Sequence, residues 1–179
     1  MQATIDISKA LTIVGWMSPG ELSWLASRAL ESNYIVEFGS FHGRSTRALG
    51  DNCSGRVWAV DPWDGDYPSQ SDEPIQFIDT FCYPQFQANL SDLIASKRVV
   101  PHRGFSYSFH LPYQVDMVFI DGDHRYKTVL RDIDTALELL KPGGLICGHD
   151  YNWPTVEQAV TEKLGKVEVI EAIWWKVKS

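Results

Sequence analysis

The sequence VEFGSFHGRST, residues 36–46, decides the fold of this chain. The apolar residues Tyr34–Val36 lead into it as a short buried strand, two glycines follow, and the segment after Gly43 has the composition of a helix. A strand, a glycine-rich turn and a helix are typical of the place where an open α/β sheet binds a ligand, at the carboxyl end of its first strand. The alternative is a plain strand-to-helix turn with an incidental glutamate.

The glycines of this turn do not follow the dinucleotide-binding pattern G-x-G-x-x-G. They are Gly39 and Gly43, and Glu37 precedes them. Because a carboxylate repels a pyrophosphate and attracts a cation, we expect a ligand with an ammonium group and hydroxyls, such as S-adenosylmethionine. Gly39 is expected to adopt backbone angles closed to other residues and, because it has no side chain, to let a ligand approach the main chain. The helix that follows offers unpaired N–H groups.

Length and composition indicate one globular domain, residues 1–179, with 44% hydrophobic and 22% charged residues. The net charge of −7 argues against a nucleic-acid partner. No window approaches the roughly 18 apolar residues of a membrane span, and the amino end lacks the pattern of a signal peptide. Three cysteines without C-x-x-C spacing fit a reduced, cytoplasmic protein.

Strands and helices alternate along the chain. Ser18, Pro19 and Glu21 predict a capped helix start within an amino-terminal helical segment, residues 1–32. Further strands are predicted at 56–61, 98–102, 115–120, 145–148, 166–170 and 173–177, and further helices at 44–50, 84–95, 126–140 and 154–164. The short connection between the last two strands favours antiparallel pairing. The alternation predicts an α/β fold with a doubly wound sheet.

Polar residues at the ends of the second and third strands are candidate ligand contacts. Asp61 ends the second strand, where an acid accepts hydrogen bonds from both ribose hydroxyls of a nucleoside; alternatively it caps the turn before Pro62. The aromatic-rich segment 63–83 is expected to be a lid or substrate wall, or else a surface loop anchored by its aromatics. Ser106, after the third strand, is a weak candidate for contact with an adenine ring.

Carboxylates and imidazoles follow the fourth and fifth strands: Asp121, Asp123, His124, His149 and Asp150. Such a group at one edge of a sheet is costly unless it binds a cation or exchanges protons. Oxygen-rich ligands with one histidine suit Mg²⁺ or Mn²⁺, and such an ion would lower the pKa of a substrate hydroxyl. His124 or Asp123 would then remove the proton. The alternative is that these residues only cap a strand and form a turn.

Four motifs carry a family resemblance: Glu37-Phe-Gly39-Ser-Phe-His-Gly43-Arg-Ser45-Thr, Val60-Asp61-Pro-Trp, Phe119-Ile-Asp121-Gly-Asp123-His124-x-Tyr126, and Leu140-Lys-Pro-Gly143-Gly144 through His149-Asp150-Tyr151. Together they resemble class I S-adenosylmethionine-dependent methyltransferases. The chain is most similar to the branch labelled methyltransferase family 24, which is related to macrolide-sugar O-methyltransferases and the cephalosporin-hydroxylase group. The resemblance covers about residues 15–177.

The resemblance implies a Rossmann-like, doubly wound, seven-stranded sheet of order 3-2-1-4-5-7-6, with the last strand pair antiparallel. It implies a cofactor site with Glu37, Gly39, Phe41 and Ser45 around the methionine part, Asp61 at the ribose, Pro62, Trp63 and Ser106 near the adenine, and Asp121 near the sulfonium. Ser40, Gly43 and Gly104 are expected in the same cofactor site. Asp121 and Asp150 would also bind a metal ion. Metal-using relatives often have Asp-Asp or Asp-Asn where this chain has His149-Asp150, so His149 is open as a ligand, as a base or as neither.

We therefore expect an S-adenosylmethionine-dependent O-methyltransferase for a small hydroxylated sugar or aromatic molecule, assisted by Mg²⁺ or Mn²⁺. His124 is the expected base, with Asp123 as its alternate. The alternatives are a cofactor-binding module without turnover and a nicotinamide-dependent oxidoreductase, although Glu37 and the missing G-x-G-x-x-G count against the latter. The apolar strand Ile173-Trp174-Trp175 is the expected face for a second subunit in a homodimer.

Overall fold

Seven strands form the central sheet of the structure, a computed structural model that describes residues 4–64 and 82–179. They are β1 (Tyr34–Phe38), β2 (Arg56–Asp61), β3 (Val99–Arg103), β4 (Val115–Ile120), β5 (Leu140–Gly148), β6 (Glu168–Ile170) and β7 (Ile173–Val177). Their order in the sheet is β3-β2-β1-β4-β5-β7-β6, which confirms the predicted order. Strands β1 to β5 pair in parallel, while β7 runs antiparallel to both β5 and β6.

Within the described residues, six α-helices connect and cover these strands. They are α1 (Pro19–Leu30), α2 (Arg44–Asn52), α3 (Cys82–Asn89), α4 (Ser91–Ala95), α5 (Tyr126–Leu139) and α6 (Pro154–Leu164), with short 3₁₀ turns at Ala10–Thr12 and Ser106–Ser108. The predicted capping box of α1 is present, since the Ser18 hydroxyl accepts from the Glu21 amide and the Glu21 carboxylate accepts from the Ser18 amide. This reciprocal pair satisfies two N–H groups that a helix start leaves unpaired.

Two predicted boundaries were wrong. The helix expected over 84–95 is interrupted at Leu90, whose ψ of 11° departs from helical geometry and whose side chain is fully buried. A Cβ at Gly43 would lie 2.3 Å from Leu90 Cδ2, so this interruption is packed tightly against the start of α2. The fifth strand begins at Leu140 instead of residue 145, because Lys141–Gly144 form an irregularity within the strand instead of a loop before it.

Apolar side chains cover both faces of the sheet, as expected for a parallel sheet between two helical layers. Ile35 and Phe119 belong to the cluster that packs against α1, α2 and α3. Val36 and Val118 belong to the cluster that packs against α5 and α6. Because side chains alternate between the faces of a strand, Glu37 points to the same face as Ile35. The strand therefore carries a charged side chain into the interior beside α2.

Backbone hydrogen bonds beyond the strand ends hold the following loops together at one edge. The Gly39 amide donates to the Val60 carbonyl at 2.9 Å, the Asp121 amide to the Phe38 carbonyl at 2.7 Å, and the His149 amide to the Ile120 carbonyl at 3.0 Å. The turns after β1, β4 and β5 are thus fixed relative to one another. In an open α/β sheet this edge is where ligands bind.

The terminal strand β7 lies inside the sheet, between β5 and β6. Ile173 is 0% and Trp174 is 1% exposed. Their burial within the chain explains their apolar character without a second subunit, so the predicted homodimer loses the observation that motivated it and stays a prediction. The three cysteines are free and buried, as expected for core residues. Within residues 4–64 and 82–179, no helix combines the length and the apolar character that a membrane crossing requires.

Candidate functional site

Glu37 is a fully buried acid at the end of β1. Its Oε2 accepts a hydrogen bond from the Ser40 hydroxyl at 2.6 Å and another from the Thr46 hydroxyl. Burial raises the pKa of Glu37 to about 7, although the neighbouring hydroxyl groups of Ser40, Ser45 and Thr46 act in the opposite direction. No described residue donates to Oε1 of Glu37. A buried carboxylate oxygen normally has a donor, so this oxygen suits a bound cation.

The glycine-rich loop between β1 and α2 is attached to the end of β2 by Asp61. One oxygen of Asp61 accepts from the Ser40 amide at 2.8 Å and the Phe41 amide at 3.0 Å, and the other accepts from the Trp63 amide at 2.7 Å. Asp61 is only 3% exposed. The turn-capping alternative thus describes contacts that Asp61 makes within the chain, and its predicted contact with a ribose stays a prediction.

Two non-glycine residues of this region have left-handed backbone angles: Phe41, with φ 44°, and Trp63, with φ 43°. Such residues are uncommon and are held in place by their surroundings. The Trp63 indole donates to the Phe41 carbonyl at 2.8 Å, which joins the two positions directly. The loop is therefore fixed in one conformation, which is what a cofactor-binding loop needs in order to bind without ordering costs.

Gly39 has the predicted backbone angles that other residues rarely adopt, with φ +85°. A Cβ there would lie 2.2 Å from the Asp121 carbonyl oxygen and 2.6 Å from Gly122 Cα. The missing side chain thus lets the turn after β4 approach the turn after β1. The expected approach of a ligand to the main chain at Gly39 stays a prediction. Further along the same edge, the Gly104 amide donates to the Asp61 carbonyl at 3.1 Å.

The acid and imidazole group after β4 and β5 is brought together as predicted. His124 Nε2 lies 2.7 Å from Asp150 Oδ2, and the ligand atoms of Asp121, His124 and Asp150 all lie within 4.8 Å of one another. Burial raises the pKa of Asp121 to about 7. Burial opposes ionisation of Asp150, but its hydrogen bonds from His124 and His149 hold its pKa well below the usual range. One imidazole and two carboxylates are a donor set that suits Mg²⁺ or Mn²⁺.

His149 lies beside this group but faces a different partner. Its Nε2 is 3.1 Å from Oε1 of the buried Glu21, and its Nδ1 is 3.3 Å from Asp150 Oδ2 and 3.6 Å from Asp121 Oδ1. Burial works against the charged imidazole, but Asp150, Asp121 and Glu21 outweigh it and raise the pKa of His149 to about 9. The Nε2 atom of His149 thus faces Glu21, and His149 is outside the set of ligand atoms that Asp121, His124 and Asp150 bring together. In the donor set, His124 takes the place that was predicted for His149.

Asp123, the predicted alternate base, lies outside the donor set. Its Oδ1 accepts from the Arg125 amide at 2.8 Å, and its Oδ2 pairs with the Arg125 guanidinium at 2.5 Å. Both oxygens of Asp123 are thus occupied by Arg125. His124 contacts Asp150 through Nε2, and this contact leaves its other ring nitrogen, Nδ1, for another group. The geometry therefore favours His124 over Asp123.

Four residues of the site were not predicted from the sequence: Thr46, which contacts Glu37; Glu21, which contacts His149; Asp132, which accepts from the Ser106 hydroxyl; and Trp16. Trp16 is 81% exposed and its ring lies 5.1 Å from that of Phe41. Arg44 fixes the segment that contains Trp16, because it donates to the Ile13 carbonyl at 2.6 Å and to the Met17 carbonyl at 3.2 Å. Only the capping signature of Glu21 was visible in the sequence. The predicted lid, residues 63–83, falls largely outside the described residues.

Comparison with known proteins supports the reading of these motifs. A family model described as a methyltransferase domain (Methyltransf_24) matches residues 36–151, more than half of the chain. Among curated proteins, the uncharacterized protein R132 of Acanthamoeba polyphaga mimivirus is 36% identical over 62 residues, which are 32% of this chain and 28% of that protein. The chain therefore spans little more than a quarter of that relative's length.

Solved structures share the fold at low sequence identity. A putative O-methyltransferase from Klebsiella pneumoniae superposes with a TM-score of 0.69 and 16% identity, over 97% of this chain and 88% of that one. The SAH-bound methyltransferase PaMTH1 of Podospora anserina superposes with a TM-score of 0.65 and 14% identity, over 92% and 80% of the two chains. These similarities establish the fold of the sheet and its flanking helices.

Proposed function

This chain belongs to the methyltransferase domain family whose model spans residues 36–151, and from that membership we propose that it is an S-adenosylmethionine-dependent O-methyltransferase acting on a small hydroxylated molecule. The observation that carries the proposal is Oε1 of Glu37, a fully buried carboxylate oxygen without a donor among the described residues. The ammonium group of the methionine part of the cofactor is a donor with the matching charge.

The residues at this edge fit the rest of the cofactor. Asp61 at the end of β2 has the position from which an acid accepts ribose hydroxyls in open α/β folds. The carboxylate Glu37 disfavours a pyrophosphate at the turn after β1, which argues against a nicotinamide dinucleotide. The SAH-bound state of the structural neighbour PaMTH1 is in line with this choice of cofactor. When bound, S-adenosylmethionine supplies the methyl group on a sulfonium.

His124 is the proposed general base. Asp150 accepts from its Nε2, so Nδ1 is left to take a proton from the acceptor hydroxyl, and the carboxylate stabilises the imidazolium that results. The Trp153 ring lies 4.3 Å from the His124 ring and restricts its orientation. Transfer to a sulfonium methyl needs no covalent intermediate, so the chain contributes by positioning the acceptor oxygen and holding its proton.

A divalent cation is a further part of the proposal. Asp121, His124 and Asp150 are the described residues that would hold it, and the ion would lower the pKa of an acceptor hydroxyl. His124 then acts as a ligand instead of a base. The two versions of the mechanism differ in one observable, since only the second is abolished by a chelator.

Calorimetric titration of the intact chain with S-adenosylhomocysteine and, separately, with NAD tests the cofactor. We expect S-adenosylhomocysteine to bind in about the micromolar range, typical of cofactors and substrates, and NAD not to bind. Asp61→Ala should weaken the binding strongly. Failure of S-adenosylhomocysteine to bind at millimolar concentration would overturn the proposal, and binding of NAD instead would favour an oxidoreductase.

Methyl transfer to a panel of sugars and phenols, with Mg²⁺ or with EDTA, tests the acid and imidazole group. His124→Gln should reduce transfer about 10²- to 10⁴-fold while leaving S-adenosylhomocysteine binding intact. His110→Gln is the matched control, because His110 is an exposed histidine away from the group. Tight cofactor binding without transfer to any acceptor would favour a binding module without turnover.

A further inference from the structure

Asp132 is a buried acid that the proposed mechanism does not use. It lies on α5, is 3% exposed, and its Oδ1 accepts a hydrogen bond from the Ser106 hydroxyl in the 3₁₀ turn after β3. A Cβ built on Gly122 would lie 3.9 Å from Asp132 Oδ2, so the second oxygen is next to the turn after β4. One carboxyl group thus links two loops at the ligand-binding edge of the sheet.

Ser106 is close to the proposed ribose contact. The Gly104 amide donates to the Asp61 carbonyl at 3.1 Å, and Ser106 is two residues further along the chain. Unlike Asp132, Ser106 is only partly buried, so the residue can be reached from outside the chain. A nucleoside with its ribose at Asp61 would therefore have its base within reach of the loop that carries Ser106.

The pairing with Asp132 fixes the polarity of the Ser106 hydroxyl. A serine hydroxyl has one hydrogen to donate and two lone pairs to accept with. When Asp132 takes the hydrogen, the oxygen offers only lone pairs to any other group. A ligand that donates a hydrogen bond is then favoured, while a ligand that presents a carbonyl oxygen meets repulsion between lone pairs.

We propose that Asp132 is a positioning residue that holds Ser106 as a hydrogen-bond acceptor and thereby makes the site select a purine with an amino group at C6 over one with a carbonyl there. This inference rests on the proposed function and deepens it by naming what distinguishes the adenine ring. The selectivity depends on two residues from different elements: Ser106 in the turn that follows β3, and Asp132 on helix α5. A site with Ser106 alone would have a hydroxyl free to rotate and would accept either purine.

The test compares calorimetric affinities for S-adenosylhomocysteine and S-inosylhomocysteine. Their purines differ in the group at C6, amino or carbonyl, and therefore also at N1, which is an acceptor in adenine and an N–H donor in hypoxanthine. Titrations at pH 8.5 keep Asp132 ionised, since burial raises its pKa to about 7. The wild-type chain should prefer the adenosyl compound by about tenfold or more, the equivalent of one hydrogen bond. Ser106→Ala and Asp132→Asn should bring the ratio close to one, because an asparagine both donates and accepts. Ser106→Thr keeps the hydroxyl and should keep the preference.

Asp134→Asn is the matched control, since Asp134 is on the same helix but exposed and paired with Lys163 at 2.6 Å. It should leave the ratio unchanged. If Asp132 only holds the helix to the loop, its substitution weakens both ligands equally and the ratio survives, which would overturn the inference. A wild-type ratio near one would overturn it as well, even though both ligands bind. If neither ligand binds the wild-type chain, the proposed function itself fails.

Discussion

Binding of the cofactor should remove a proton from Glu37. Burial raises the pKa of this carboxyl from 4.5 to about 7 in the ligand-free chain. That difference corresponds to about 3 kcal/mol against the charged form. An ammonium group beside Oε1 supplies the opposite charge that the interior lacks, so it lowers the pKa again. Since the ammonium group favours ionised Glu37, binding and deprotonation are linked.

The size and direction of this linkage follow from the pKa. At pH 6 about nine-tenths of the ligand-free chains carry the proton, so binding should release about 0.9 proton; at pH 8.5 it should release almost none. Affinity for S-adenosylhomocysteine should rise about tenfold per pH unit up to pH 7 and then level off. The ligand-free fold follows the opposite trend. The pKa of Glu37 is higher in the folded chain than in the unfolded chain. Its contribution to stability is therefore fully present below pH 4.5 and is lost as the pH rises through about 7.

Calorimetry in two buffers of different ionisation enthalpy counts the released protons. Glu37→Gln should abolish the release attributed to this group and flatten the pH dependence of the affinity, whereas Glu31→Gln, an exposed control on the surface, should change neither. Asp121 also titrates near pH 7, so Asp121→Asn is measured in parallel to separate its contribution. Equal binding enthalpies in both buffers at pH 6, or undiminished proton release by Glu37→Gln, would refute the reasoning.

Two predictions concern stability and are measured by urea denaturation. Gly39→Ala combines a φ of +85° with a Cβ 2.2 Å from the Asp121 carbonyl oxygen, and should lower the free energy of unfolding by about 3 kcal/mol or more. Gly143→Ala, with φ +76° and no heavy atom within 4 Å, should cost only about 1–2 kcal/mol, and equal losses would contradict the packing argument. Arg47→Met removes a 3% exposed side chain from two carboxylate partners and should cost about 3 kcal/mol. Arg28→Met, which breaks an exposed pair, should cost less than about 1 kcal/mol; a similar cost for both would show that burial of the pair does not matter.

The positions of most elements could be predicted because their signals are local. The run Val115–Ile120 is apolar apart from Asp116, and both of its faces are covered by helices. The Ser18–Glu21 capping box has a fixed spacing that the structure reproduces. The order of the strands had a different origin, since it came from the family resemblance and not from periodicity. Periodicity names a strand but contains no information about its neighbours.

The interruption at Leu90 and the extended β5 could not be predicted because their causes are not local. The helix over 84–95 is interrupted where the Leu90 side chain packs against Gly43, a residue far away in sequence. The Pro-Gly-Gly segment after Leu140 has every feature of a turn. It is held in the strand by the Gly143 amide, which donates to the Lys178 carbonyl at 2.9 Å, and by the Lys178 amide, which donates to the Gly144 carbonyl. Tertiary pairing thus outweighed local propensity.

The candidate site shows the same division between position and chemistry. Sequence placed both histidines at the correct edge, because each follows a strand whose carboxyl end lies there. It could not assign their roles, because these depend on which carboxylate each imidazole meets. His149 contacts Asp150 and Asp121 and also Glu21, which is 128 residues away in the sequence. Together these acids raise the pKa of His149. Among the described carboxylates, only Asp150 lies within hydrogen-bonding distance of His124. One ring nitrogen of His124 is therefore left for the acceptor hydroxyl or for a metal ion. The sequence shows Glu21 only as part of a helix cap, so its contact with the His149 imidazole becomes visible only in the structure.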